Sequence, residues 1–180
     1  AAGGGTGRAW VFDAHTGAEL AAYTLVPTAP PQPPRFINDV VATELERALP
    51  LAEGRPVALQ IEARCCLSIN APEKVLSVLI GNLLRNAVAY TNAGRVRVEI
   101  QADAVVIEDT GVGLPAGRIR EMGQPFVRGS TGRPGYGVGL TIVRRLSDRF
   151  GWPVEFTSQV GVGTRVRITF PGASATPLEG

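Results

Sequence analysis

Two asparagines spaced about one helical turn apart are the first residues in this sequence that could do chemistry. Asn82 and Asn86 lie in the segment Asn-Leu-Leu-Arg-Asn-Ala-Val-Ala-Tyr, which ends at Tyr90, and residues four apart share one face of a helix. An amide oxygen is a neutral, hard ligand that suits a Mg²⁺ ion already chelated by phosphates. Taken alone, the pair is explained more simply as two solvated or capping asparagines.

A carboxylate followed closely by two glycines is the second candidate. Asp109 follows a mostly apolar segment at residues 104–108, and Gly111 and Gly113 come after it. A carboxylate at a strand end can accept a hydrogen bond from an amino group, and the glycines let the backbone pack closely against a flat ligand. An ordinary Asp-Thr-Gly turn is the competing interpretation.

Two further segments carry an arginine and a set of alternating glycines. Phe126 and Arg128 lie in Pro-Phe-Val-Arg-Gly, where the aromatic ring could pin a loop and the guanidinium could face an anion. Residues 135–140 read Gly-Tyr-Gly-Val-Gly-Leu at the predicted start of a helix, which is a favourable place to bind phosphate. Singly, the first segment is explained more simply as a core aromatic beside a surface arginine, and the second could be only a flexible hinge.

The elements that must position these residues alternate between helix and strand. Hydrophobic periodicity predicts a helix over residues 35–50, strands at 57–62 and 66–69, and a helix from an Asn70 N-cap to about residue 90. Strands follow at 95–100 and 104–108, then an irregular segment at 110–139, a helix at 140–150 and a hairpin at 154–158 and 164–170. This order predicts an α/β fold, a two-layer sandwich with one mixed sheet and helices on one face.

The first 34 residues differ from the rest. Residues 8–12 and 19–26 indicate a hairpin, and the run Pro-Pro-Gln-Pro-Pro at 30–34 is typical of a stiff linker. We therefore divide the chain into an N-terminal extension at 1–34, a catalytic-type domain at 35–172 and a C-terminal tail at 173–180.

Composition limits the classes of function. A net charge of +2 over 180 residues gives no argument for nucleic-acid binding. Lys74 is the single lysine, so a side-chain cation at any phosphate must be that residue or one of the 17 arginines. Cys65 and Cys66 are adjacent, which disfavours a disulfide between them and favours a reducing compartment. The sequence has no apolar run of about 20 residues that could span a bilayer, and its start does not resemble a signal peptide.

Together and in this order, the four segments resemble the N, G1, F and G2 boxes of the histidine-kinase branch of the GHKL ATPase superfamily. The resemblance covers residues 35–170. It implies a Bergerat-type ATP-binding fold with a long ATP lid at about 115–134, whose many glycines suit ordering on nucleotide binding. It also implies the ATP-binding catalytic domain of a bacterial sensor histidine kinase, a two-component signalling protein that transfers the ATP γ-phosphate to a histidine.

The resemblance assigns a role to each matching residue. Asp109 would bind the adenine amino group, with Gly111 and Gly113 shaping the wall around the base. Asn86 would hold Mg²⁺, Asn82 would support the same polar cluster, and Tyr90 would stack near the adenine or ribose. The residues implied in phosphate binding or charge neutralisation are Arg128, Arg133, Gly135, Gly137, Val138, Gly139 and Leu140.

Two positions distinguish this chain within the superfamily. The family usually has a basic residue three positions after the metal-binding asparagine, and this chain has Ala89. We expect Arg128, Arg133 or Arg85 to compensate, with weak ATP binding as the alternative. The ATPase branches place a glutamate where this chain has Asn82, and because an amide cannot accept a proton at neutral pH, the sequence favours a kinase over an ATPase.

The resemblance also implies partners and a location. The phosphorylated histidine would lie on a separate dimerisation domain, because His15, the single histidine, sits on a predicted turn at the surface. The chain would then bind Mg-ATP without autophosphorylating, as a monomeric cytoplasmic domain. Its parent would be a homodimer anchored in the bacterial inner membrane that acts on a response regulator. A GHKL-type ATPase, an anti-sigma-like serine kinase and a degenerate nucleotide-binding module remain alternatives.

Overall fold

The computed structural model describes residues 7–12, 19–25, 35–115 and 138–178. The chain divides into two compact units, Ala1–Pro33 and Pro34–Gly180. In the first unit, strand β1 (Gly7–Phe12) pairs antiparallel with β2 (Glu19–Leu25). The division of the chain into an extension, a catalytic-type domain and a tail stays a prediction.

A five-stranded mixed sheet is the frame of the second unit, in the order β4-β6-β7-β9-β8. Strand β6 runs parallel to β4, and the remaining neighbours are antiparallel. The elements of this unit are β3 (Arg35–Phe36), α1 (Ile37–Ala52), β4 (Val57–Ala63), β5 (Cys65–Ile69), α2 (Glu73–Tyr90), β6 (Gly94–Ile100), β7 (Ala104–Asp109), α3 (Val138–Phe150), β8 (Val154–Gln159), β9 (Gly163–Thr169) and β10 (Ser174–Pro177). The predicted two-layer α/β class is confirmed.

One face of this sheet and the helices share a single core. Alternate residues of each strand point to the same face, and on that face the side chains of Val98, Ile107 and Ile168 are buried. They join one cluster with buried residues of all three helices. Helix α2 contributes most to it, through Leu76, Leu79, Ile80, Leu83, Leu84, Ala87 and Val88. This burial fixes the rotation of α2 and leaves its asparagine face outside the apolar core.

The opposite face of the sheet carries charged side chains. Arg97 on β6 binds Glu62 on β4 at 2.6 Å, and Glu108 on β7 lies between Arg97 and Arg165 on β9. Opposite charges on neighbouring strands stabilise a sheet modestly. Because the two faces differ so clearly, a one-residue slip in strand register is strongly disfavoured.

The prediction that all strands form one sheet is wrong. Strand β5 lies between β3 and β10 in a separate three-stranded sheet. Residues 174–177, predicted to lie in a tail, form β10. Neither β3 nor β10 has the hydrophobic alternation that marks a strand, and all four residues of β10 are exposed. Their strand conformation is decided by pairing with β5.

The helix boundaries also differ from the prediction at two places. Helix α2 begins at Glu73 with Pro72 as the N-cap and no side-chain cap, so the prediction of Asn70 as N-cap is wrong. The carbonyl of Pro72 accepts the N–H groups of Val75 and Leu76, so the helical hydrogen bonds start there. Helix α1 continues through Pro50 to Ala52, since a proline this close to a helix end removes only one hydrogen bond.

Arg55 ties the ends of two helices together. Its Nη1 donates to the carbonyls of Val88 at 3.1 Å and Thr91 at 2.9 Å, and its Nη2 donates to the carbonyl of Leu51. The last carbonyls of a helix have no partner within the helix, and a cation there also interacts favourably with the helix dipole. Arg55 therefore fixes the carboxyl end of α2, where the candidate site begins. No helix in the described part of the chain is long and apolar enough to cross a membrane.

Candidate nucleotide-binding site

Asp109 ends strand β7 with one carboxylate oxygen held and the other open. Its Oδ1 accepts the N–H of Gly111 at 2.9 Å and the N–H of Thr164 at 3.3 Å. Within residues 35–115 and 138–178, Oδ2 accepts no hydrogen bond. A carboxylate fixed in this way presents one acceptor to an amino group of a ligand.

Partial burial controls the protonation of this carboxyl group. Loss of hydration raises the pKa of Asp109 above its usual value of 3.8, and the hydrogen bonds from the backbone N–H groups of Gly111 and Thr164 oppose that rise. A raised aspartate pKa in a partly buried position is common at functional sites. Asp109 is the described aspartate that combines such a shift with an open oxygen.

We expect the charge of Asp109 to couple both stability and ligand affinity to pH. Because the folded-state pKa is raised, ionisation of Asp109 opposes folding above that pKa, and this cost disappears as the pH falls through it. As the pH falls, stability therefore rises while affinity for an amino group falls, because the protonated carboxyl group loses an acceptor. Carbon-13 NMR of the carboxyl resonances, with Asp109→Asn to identify the signal, measures the titration. A midpoint at or below 3.8 in the free protein contradicts this expectation.

Glycines allow the backbone to close tightly around Asp109. A Cβ on Gly111 would overlap the carbonyl of Tyr90, and one on Gly113 would overlap the carbonyl of Gln159. Gly163 has a φ of +133°, and a Cβ there would overlap the carbonyl of Asp109. Side chains at these positions would push the loop after β7 away from α2 and from the β8–β9 hairpin. The two glycines predicted at the wall around the base therefore have a steric reason to be glycine.

Thr164 and Ser158 complete this end of the sheet, although neither is among the site residues predicted from the sequence. Asp109 pairs with Thr164, and Thr164 pairs with Ser158, so the three side chains form one row on the helix-facing side. The preceding row on that face consists of Ile107, Val166 and Phe156, all apolar. The signal that could have found this row is Gly161-Val-Gly-Thr164, a second Gly-x-Gly segment beside a strand.

The asparagine face of α2 lies against the start of α3. The Nδ2 of Asn82 donates to the carbonyl of Val78 at 2.7 Å, and a Cβ on Gly139 would lie 2.9 Å from Asn82 Oδ1. Asn86 is half-buried one turn further along, and its side-chain amide bonds to no described residue. The carbonyl of Tyr90 accepts the N–H of Val112 at 3.1 Å, which joins the helix end to the loop after Asp109. The structure therefore brings Asn82, Asn86 and Tyr90 next to elements that carry the other predicted residues.

Arg85 is engaged elsewhere. Its Nη1 lies 3.7 Å from Oε2 of Glu44 on α1, and Oε1 of Glu44 binds Arg47 at 2.5 Å. Glu44 is only 3% exposed, and a buried carboxylate needs partners of opposite charge. Gly81 leaves the space that this carboxylate occupies. Arg85 is thus an ion-pair partner of α1 in this structure, and its role as a compensating cation stays a prediction, as do the roles of Arg128 and Arg133.

Part of the predicted site lies outside the described residues. These are Arg128, Arg133, Gly135 and Gly137, together with the lid predicted at 115–134 beyond residue 115. Helix α3 begins at Val138, two residues before the predicted start, so Val138, Gly139 and Leu140 form its first turn. Free N–H groups in a first turn bind anions. This end of α3 meets Asn82, so the first turn lies close to the asparagine face of α2.

Comparison with known proteins agrees with this geometry. Residues 71–174 match the family described as histidine kinase-, DNA gyrase B- and HSP90-like ATPases. The autoinducer 2 sensor kinase/phosphatase LuxQ of Vibrio parahaemolyticus is 34% identical over 138 residues, which is 68% of this chain and 16% of LuxQ. The sensor protein TorS of Escherichia coli is 34% identical over 131 residues, which is 69% of this chain and 14% of TorS.

Solved structures show the same fold. The mycobacterial sensor histidine kinase MprB aligns with a TM-score of 0.64 and 23% identity, over 81% of this chain and 99% of that structure. Full-length ShkA in complex with AMPPNP aligns with a TM-score of 0.68 and 23% identity, over 81% of this chain and 32% of ShkA. The protein belongs to the histidine kinase-, DNA gyrase B- and HSP90-like ATPase family. Within that family it is an ATP-binding domain of the kind found in sensor histidine kinases.

Proposed function

We propose that this domain transfers the γ-phosphate of ATP to a histidine on a separate dimerisation domain of the same kinase. The observation that carries the proposal is the environment of Asn82, the position at which the ATPase branches have a glutamate. The Asn82 amide bonds to the carbonyl of Val78 and lies against Gly139. An amide cannot take a proton from water at neutral pH. The described residues therefore favour binding and positioning of ATP over its hydrolysis.

The residues around Asp109 would bind the adenine. Asp109 Oδ2 accepts a hydrogen bond from the amino group, while Gly111 and Gly113 keep the wall close to the base. Tyr90 contacts the base or the ribose at the end of α2. Because Oδ1 is already held by two N–H groups, the carboxylate is oriented before the ligand arrives.

The phosphates would lie between α2 and the first turn of α3. Backbone N–H groups of Val138, Gly139 and Leu140 face them, together with Gly135 and Gly137. Asn86 is suited to be a magnesium ligand, because it is half-buried on this face and its side-chain amide bonds to no described residue. When bound, Mg²⁺ would neutralise charge on the phosphates. Arg128 and Arg133 supply the cations that Ala89 does not, and the imidazole attacks in line with the leaving oxygen.

Ala89 favours a second candidate, a nucleotide-binding module without kinase activity. Ala89 is exposed on α2, one turn beyond Arg85, and Arg85 is paired with Glu44. If the lid arginines do not reach the phosphates, ATP binds weakly and no transfer follows. The two candidates differ in phosphotransfer, so one reconstitution experiment separates them.

The parent protein would be a longer sensor kinase. The chain covers only 16% and 14% of the two relatives compared above. We therefore propose that the whole protein also has a sensor region and a histidine-bearing domain, and that a response regulator is its partner. The parent would be a homodimer in the bacterial inner membrane with this domain in the cytoplasm, where ATP is present. The isolated domain would be monomeric.

We expect phosphotransfer only when the histidine-bearing domain is added. The domain alone with γ-labelled Mg-ATP should retain no label, whereas mixing it with the dimerisation domain should label that domain with an acid-labile phosphate. Substituting the acceptor histidine by alanine is the matched control and should abolish the label. Steady phosphate release without transfer would instead support an ATPase, and labelling of a serine-bearing partner would support a serine kinase. Saturable ATP binding with neither reaction would support the nucleotide-binding module.

A further inference from the structure

The hydroxyl group of Ser158 is the centre of a hydrogen-bond network beside Asp109. Its Oγ lies 2.8 Å from the backbone N of Leu114, 2.9 Å from the carbonyl oxygen of Gly163 and 2.9 Å from Oγ1 of Thr164. These contacts join β8, β9 and the loop that follows β7. Ser158 thereby connects three segments that surround the Asp109 carboxylate.

The capacity of a hydroxyl group determines the direction of each hydrogen bond. A serine hydroxyl has one proton to donate and two lone pairs that accept. The N–H of Leu114 can only donate and the carbonyl of Gly163 can only accept, so Ser158 accepts from the first and donates to the second. Its remaining lone pair then accepts the proton of Thr164. This arrangement uses every donor and acceptor of Ser158.

The consequence lies at Thr164. With its proton directed at Ser158, Thr164 Oγ1 presents only lone pairs to the space next to Asp109. Thr164 and Asp109 are directly opposite on neighbouring strands and point to the same face, so their side chains are neighbours. Asp109 Oδ2 is also an acceptor. This end of the site therefore offers two acceptors and no side-chain donor from these two residues.

We propose that Ser158 is a specificity-determining positioning residue, which keeps the Thr164 hydroxyl an acceptor and so favours a 6-amino purine over a 6-keto purine. The inference rests on the proposed role of Asp109 in adenine binding. A 6-keto oxygen brings a third acceptor to this place and finds no side-chain donor in Asp109 or Thr164. A site built to bond to an amino group discriminates strongly, because a mismatch leaves buried polar groups unpaired.

The test compares ATP with ITP, which differs by a keto group at position 6, in wild type and in Ser158→Ala. We expect wild type to prefer ATP by about tenfold or more, since one mismatched buried hydrogen bond has this effect. In Ser158→Ala the Thr164 hydroxyl can rotate and donate, so the ratio of the ITP dissociation constant to the ATP dissociation constant should fall severalfold toward one. Calorimetric titration measures both ligands, and the thermal midpoint shows that the variant is folded.

Two controls separate this role from general support of the fold. Thr157→Ala changes the exposed neighbour on the opposite face of β8 and should leave the ratio unchanged. In a Thr164→Val background, where there is no hydroxyl to orient, Ser158→Ala should have little further effect on the ratio. The same shift in that background would overturn the inference, and so would an unchanged ratio in folded Ser158→Ala. Wild type that binds neither nucleotide would overturn the proposed function as well.

Discussion

Asp109→Asn is expected to bind ATP about a hundredfold more weakly than wild type, a loss typical of a charged hydrogen bond replaced by a mismatched group. The asparagine oxygen can still accept the N–H groups of Gly111 and Thr164, so the loop after β7 keeps its anchor. The amide NH₂ then occupies the place of Oδ2. This NH₂ group and the adenine amino group are both hydrogen-bond donors, so no hydrogen bond forms between them.

The stability of this variant separates a binding defect from a folding defect. Burial raises the pKa of Asp109, so its ionised form is unfavourable in the folded protein, and removing that charge should leave the nucleotide-free thermal midpoint at neutral pH unchanged or higher. At an ATP concentration that just saturates wild type, the increase in thermal midpoint should be largely lost. Asp103→Asn, at the exposed turn between β6 and β7, is the matched control and should retain ATP binding. Undiminished affinity in folded Asp109→Asn would remove this carboxylate from the site.

Asn86→Ala is expected to lose the Mg²⁺-dependent part of ATP affinity and to reduce phosphotransfer by about a hundredfold or more. If Asn86 holds the metal as proposed, the variant removes a protein ligand of the ion, and positioning of the γ-phosphate depends on that ion. Affinity measured in EDTA should stay close to wild type, because adenine binding at Asp109 does not involve the metal. Nucleotide titrations with and without Mg²⁺ give the two parts separately.

The control for this variant lies at the other end of the same polypeptide segment. Asn70 is exposed and precedes α2, far from Asn86 along the helix. Asn70→Ala should keep both the metal dependence of binding and the rate of transfer. If Asn86→Ala retains a wild-type metal dependence, another residue holds the ion, and the proposed role of Asn86 is wrong.

Much of the fold followed from patterns that are local in the sequence. The apolar periodicity of α1 and α2 and the alternation of β6 and β8 depend on which face of each element is buried, and that information is present in every turn and every residue pair. The predicted helix boundaries were wrong where the local sequence preference for a helix start or end was weak. Asn70 has the chemistry of an N-cap, but the helical hydrogen bonds begin at Pro72.

The candidate site divides in the same way. Asp109 and its two glycines were identified because a carboxylate at a strand end next to glycines is a local signal. Ser158 and Thr164 carried no such signal, since a serine and a threonine in a strand are ordinary residues. Their importance comes from the pairing of β7 with β9 and of β9 with β8, which joins positions 109, 164 and 158 in one row. The ion pair of Arg85 with Glu44 on α1 is likewise a long-range contact, which the spacing of residues in α2 could not predict.

The sequence by itself determined the class of fold, the family and the residues that mark it, because these depend on residue type, spacing and order along the chain. Only the tertiary structure decided which oxygen of Asp109 is open, which hydroxyl orients which, and which arginine is already paired. Hydrogen-bond direction and charge pairing depend on distances of a few ångströms between residues far apart in the sequence, such as Asp109 and Thr164, which are 55 positions apart. Those distances are fixed by strand register and helix packing, which no single segment contains.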